Sequence, residues 1–157
     1  MKSTTWLLRG AALAAVLLGV GCVAPVQKMA LTASGKPELT ISATLTDVKS
    51  AILGEMVNHG YSVDQDTDYM MRMSRPLKGG EDFGAALAVG NAYSSNRRVT
   101  IFTFVKQPEG IRVVVSSAWS AQMPGGQVNT TELTDNGNIF NAFETMLQDI
   151  KARLENK

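Results

Sequence analysis

A single cysteine, a single histidine and only 6% aromatic residues leave this chain of 157 residues short of the side chains from which most chemical sites are built. One cysteine, Cys22, cannot close an intrachain disulfide, and no Cys/His/Asp/Glu cluster falls at metal-ligand spacing. The one histidine, His59, has no serine or cysteine partner and third orienting group identifiable from spacing, and no G-x-S-x-G elbow or phosphate-cradling glycine loop is present. An enzyme is therefore not expected, and neither is a cofactor or a metal. The formal charge of +1 gives no general attraction for nucleic acid. A membrane-spanning run of roughly 20 apolar residues is missing too.

What the chain does have is a short apolar run at its beginning. Lys2 and Arg9 supply positive charge, and Gly10 to Gly21 forms an apolar core that stops at Cys22. This is the layout of a secretory signal, with residues 1–21 as the removable part. Their removal takes away Lys2 and Arg9 and no acid, which turns the formal charge from +1 to −1. The segment Leu18-Gly19-Val20-Gly21-Cys22 resembles a bacterial lipobox, in which a small residue precedes a cysteine that is acylated on sulfur. That resemblance implies a lipoprotein held on a membrane through acylated Cys22, palmitate-type chains being worth about 0.8 kcal/mol per buried methylene. It further implies the outer membrane facing the periplasm, since Val23 rather than aspartate follows the cysteine.

Residues 22–37 lack any sustained period and are punctuated by Pro25, Gly35 and Pro37, so they read as a lipidated tether. Residues 38–157 then read as one α+β domain. Leu39, Ile41, Ala43 and Leu45 alternate with polar residues and predict a strand over Glu38–Leu45. Thr46 is the expected N-cap of a helix bearing Val48, Ala51, Ile52, Glu55 and Met56 on one face, stopped by Asn58-His59-Gly60. Gly54 inside it suggests a close backbone approach. Tyr61–Asp64 and Asp68–Pro76 are expected to form a hairpin turning at Gln65-Asp66-Thr67, with Tyr69, Met71 and Met73 on one side filling the core. Arg98–Val105 and Ile111–Trp119 form the clearest hairpin, and Gln127–Thr134 returns as a more polar strand. Ile139, Phe140, Phe143, Leu147, Ile150 and Leu154 mark a long amphipathic C-terminal helix, with Asp135, Asn136 and Asn138 as candidate caps.

The expected order is β-α-β(4–5)-α, a curved antiparallel sheet of four to six strands packed on the C-terminal helix. This order resembles the TATA-binding-protein-like and helix-grip folds found in small envelope lipoproteins; the resemblance lies in element order and carries no site residue with it.

The insertion at about 77–96 holds the candidate contacts. Phe83, Leu87, Val89 and Tyr93 lie in a stretch that is apolar nearly all round, which needs a cover in water. That cover is this domain's own sheet, a partner or membrane, or a small apolar ligand. Arg75, Lys78, Arg97 and Arg98 flank the insertion and are candidate contacts for an anion; solvated strand-end charges balanced by Glu81 and Asp82 are the plainer alternative. Trp119 either packs in the core or lines a groove. The expectation for function is an accessory module acting through an envelope protein partner. The alternative is a carrier of a lipid or other apolar ligand held between sheet and C-terminal helix.

Overall fold

The structure is a computed structural model that describes residues 32–78, 95–122, 125–134 and 136–156. Its elements in chain order are β1 (Glu38–Ile41), α1 (Leu45–Asn58), β2 (Ser62–Asp66), β3 (Met70–Pro76), β4 (Ser95–Gln107), β5 (Gly110–Gln122), β6 (Val128–Glu132) and α2 (Gly137–Glu155). All strand pairings are antiparallel, in the order β1-β5-β4-β3-β2. β6 joins the same outer edge of β5 as β1 does. β1 lies along Ile111–Val114 and β6 along Ala118–Gln122, so two short strands share one long edge end to end. The result is the open α+β sheet expected from the sequence.

The β4–β5 hairpin is its spine, paired without a break from Ser95↔Gln122 to Gln107↔Gly110. Two residues, Pro108 and Glu109, make the turn. Gly110 closes it at φ +142°, and a Cβ there would fall on the Ile41 carbonyl, so this position needs glycine for both its conformation and its neighbour.

Strand alternation sorts side chains to two faces. Leu39 and Ile41 of β1, Met71 and Met73 of β3, Phe102 and Phe104 of β4, and Val113 and Val115 of β5 form one apolar surface. Both helices pack on it. α1 contributes Val48, Ile52 and Met56, and α2 contributes Phe140, Phe143, Leu147 and Ile150. Phe102 meets Phe143 edge to face, with centroids 6.3 Å apart. Burying one such side chain contributes about 1.5–3 kcal/mol.

Several local expectations shift. β1 ends at Ile41, and the helix cap is Thr44 rather than Thr46: Thr44 Oγ1 accepts the Asp47 N–H at 3.2 Å and donates to the Asp47 carboxylate at 2.7 Å. That reciprocal pair halts the strand before its alternation runs out. Gly54 has open space where a Cβ would stand, so it marks no close approach. The β2–β3 turn lies two residues later than expected, tied by Thr67 to Met70, and it leaves Tyr69 at the tip, 74% exposed, instead of beside Met71 and Met73. Asn136 caps α2, accepting from the N–H groups of Asn138 and Ile139. At the chain's start, the stretch read as tether is folded onto the domain from Thr32 as a turn ahead of β1: Pro37 is buried and its carbonyl accepts the Val115 N–H at 2.9 Å.

The sheet's outer edges are guarded. Lys151 of α2 donates to the Thr40 carbonyl at 2.8 Å, and Glu155 accepts the Ser42 N–H at 2.7 Å, so α2 blocks β1. On the other side, a bulge between Val63 and Gln65 and the acids Asp64 and Asp66 blunt β2.

Candidate functional site

The helix-facing side of the sheet changes character along its length, rung by rung. Met71, Phe102 and Val115 form one cross-strand rung, and Met73, Thr100 and Ser117 form the next, where Thr100 and Ser117 bring hydroxyls 3.4 Å apart. The rung after that is Arg75, Arg98 and Trp119, with Thr131 of β6 beyond. The last has buried Asn96 opposite buried Ala121. Polarity thus increases toward the end where the insertion departs.

Register decides which candidate cations belong together. Arg75 and Arg98 are direct cross-strand neighbours on the helix-facing side, both half-buried. Arg97 sits opposite Pro76 on the other face and is exposed; Lys78 is exposed beyond the strand end. The four do not form one cluster, because Arg97 and Arg98 are successive strand residues that point to opposite faces. The insertion is also shorter than expected: the ladder runs on to Leu77, whose N–H donates to the Asn96 carbonyl at 3.2 Å. Phe83, Leu87, Val89 and Tyr93, and Cys22 with the stretch read as an export signal, lie outside the described residues.

Beside the arginines is a cleft of about 340 Å³ between the C-terminal part of α1, the middle of α2 and the sheet. Arg75 lies over the ring of Tyr61, 5.4 Å from its centroid. Met56, Phe143 and Met146 supply apolar walls, while Glu55, His59 and Asp149 stand on the helix side. His59, the C-cap of α1, is exposed and 3.7 Å from Glu55, which also accepts from Arg153 at 3.2 Å. Trp119 has its indole Nε1 buried without a hydrogen-bond partner. Such an orphan donor is unusual in a folded protein. No spacing signal in the sequence joins Trp119 to the arginines, since only register does so.

The opposite face carries no described helix. Its centre is a groove of about 490 Å³ lined by Val99, Ile101, Ser116, Ala118, Ser120 and Thr130, with Arg72 and Glu132 at its sides. The chain from Thr32 to Lys36 folds onto this same face. Lys36 Nζ donates to Ser116 Oγ at 2.7 Å and stands 3.9 Å from Glu132. The Ala33 N–H donates to Glu38 at 3.1 Å, and Arg112 donates to the other Glu38 oxygen at 2.6 Å. Burial alone would push the Glu38 carboxyl up, but hydrogen bonds from Ser34, Arg112 and Ala33 and the Arg112 charge outweigh it and hold the group below the usual carboxylate range. Residues Thr32–Glu38 are therefore fastened to the face that carries no described helix.

Among the described residues no group of three or more His, Cys, Asp or Glu is placed to hold a metal, and no helix is long and apolar enough to cross a membrane. Met71 and Met73 are consumed in the core. The sequence matches no known protein family, and comparison with curated proteins finds no match.

Proposed function

We propose that this chain is a lipid-anchored module of the bacterial cell envelope that works by holding a protein partner against the sheet face that carries no described helix. The observation that carries the reading is the groove on the sheet face that carries no described helix. Both described helices cover one face, while the other offers a groove of small, hydroxyl-bearing and β-branched side chains around Ser116, Ala118 and Ile101. A face of this kind suits extended contact with another polypeptide. The first described residues, Thr32–Lys36, are fastened on that face beside the groove, which favours a tether that reaches the domain from the partner's side. In this reading Phe83, Leu87, Val89 and Tyr93 add partner contacts from the insertion.

A photocrosslinking residue placed at Ser116 or Ile101, and for comparison at Leu53 or Val57 on exposed α1, tests the reading in living cells. A discrete crosslinked protein from the sheet positions alone is expected. Equal yields from both sets, or none from the sheet, would contradict it.

The second reading, a carrier of a small ligand between sheet and C-terminal helix, draws on the cleft beside Arg75 and Arg98. The space between sheet and α2 nearer the β4–β5 turn is filled by Phe143, Leu147 and Ile150 packed with Met71, Met73 and Phe102. The charged lining of the cleft favours a polar ligand over an acyl chain.

A further inference from the structure

We propose that the cleft at the insertion end of the sheet binds an oxyanion, a phosphate or carboxylate group on a small organic body, between Arg75 and Arg98. Like charges placed directly opposite each other across two strands are destabilising, and here both belong to half-buried guanidiniums on the packed side of the sheet. A guanidinium has five N–H donors and no acceptor, in a planar fork that matches an oxyanion. The next residue along the rung, Trp119, is the cross-strand neighbour of Arg98, outside the lining of the cleft, with an indole N–H buried without an acceptor among the described residues. Arg75 and Arg98 have other contacts as well, and a ligand would share their donors.

The walls narrow the class further. The cleft of about 340 Å³ has the size of a site for a small molecule, and Tyr61, Met56, Phe143 and Met146 give its interior apolar surface for an organic body. Glu55 and Asp149 on the helix side disfavour an extended polyanion, whose further charges would meet them. A single oxyanion directed at the sheet, with its apolar part along Tyr61 and Met146, satisfies both walls. The same chemistry is offered by a soluble metabolite and by the phosphate of an anionic lipid headgroup. The cleft lies on the opposite side of the sheet from the partner groove, so this proposal stands or falls apart from the partner reading.

Trp119 is an internal reporter, because the only other tryptophan, Trp6, lies in the removable signal. The mature full-length protein in neutral detergent is titrated with phenyl phosphate and with hexanoate, following Trp119 emission. A second arm reconstitutes it in phosphatidylcholine discs with and without phosphatidylglycerol. Saturable change is expected with wild type and with Arg97→Gln, which alters the other face. Affinity is expected to fall about tenfold or more in Arg75→Gln and Arg98→Gln, the loss of a charge-assisted bond, with Arg98→Lys intermediate. Circular dichroism melting confirms that each variant is folded, and Arg98→Lys with Arg75→Gln carries the comparison if Arg98→Gln is not. Response to the soluble probes identifies a free ligand, and response only to phosphatidylglycerol identifies a headgroup. No saturable response in either arm, or equal weakening by Arg97→Gln and a folded Arg98 variant, overturns the proposal.

Discussion

The two ends of the helix-facing sheet surface share strands β3, β4 and β5 and have opposite chemistry. At the hairpin end, Phe102, Phe104, Ile111, Val113 and Val115 are buried among the helices. Four residues further along β4, a distance of about 13 Å at roughly 3.3 Å per residue, the same face presents Arg98 beside Arg75 and an indole donor with no acceptor. The second arrangement sets charge where the first sets apolar contacts, and both arginines keep partners of their own. The difference teaches where to look in a fold with no catalytic signature: the rung where a good core stops being one is the candidate for recognition.

The comparison is broken most severely at the hairpin end. Phe102→Ala, a large-to-small change at a fully buried site, is expected to cost about 3–5 kcal/mol in urea unfolding. Next is the Glu38–Arg112 clamp at the start of β1. Glu38→Gln weakens a charge-assisted bond with Arg112 and should cost about 1.5–3 kcal/mol at neutral pH. Because the Glu38 pKa is depressed in the folded state, its contribution is fully present above its ordinary value of 4.5 and is lost as pH falls through the depressed value. The variant should therefore show a shallower loss of stability on the acid side, checked by unfolding midpoints across that range. Gly54→Ala, with open space for its methyl group, should stabilise α1 by about 1 kcal/mol, read as a rise in melting temperature. The smallest effect is expected at the insertion end, where Arg98→Met removes a like-charge neighbour along with some contacts and should move stability by less than about 1 kcal/mol in either direction. A loss there as large as that of Phe102→Ala would erase the distinction between the two ends.

Much of this architecture is legible in the residue pattern, because periodicity survives into burial. The stripe Phe140, Phe143, Leu147, Ile150 is the buried face of α2, and Val48, Ile52, Met56 that of α1. Boundaries are less legible where two signals overlap. Alternation from Leu39 to Leu45 continues past the point where the Thr44–Asp47 capping pair takes over, so the strand is overread by four residues. The site is the least legible part. Adjacent Arg97 and Arg98 look like one cluster in sequence, and only strand pairing sends one to each face. Joining Arg98 to Arg75 and Trp119 requires the register of two hairpins, and the turn at Thr67–Met70 lies two residues from where composition suggests it. The groove on the other face is lined mainly by serine, alanine, valine, isoleucine and threonine side chains gathered from three strands, with no motif to mark them in the sequence.

The central claim, an anchored module with a protein partner on the sheet face opposite its described helices, is tested most directly by native mass spectrometry of the full-length protein extracted from its own membrane in mild detergent, alongside an Ala118→Arg variant. The account predicts a chain beginning at Cys22 with acyl mass attached and a stoichiometric protein companion that the variant loses while keeping its acyl groups. A chain without acyl mass, or a companion held equally by Ala118→Arg, would contradict it.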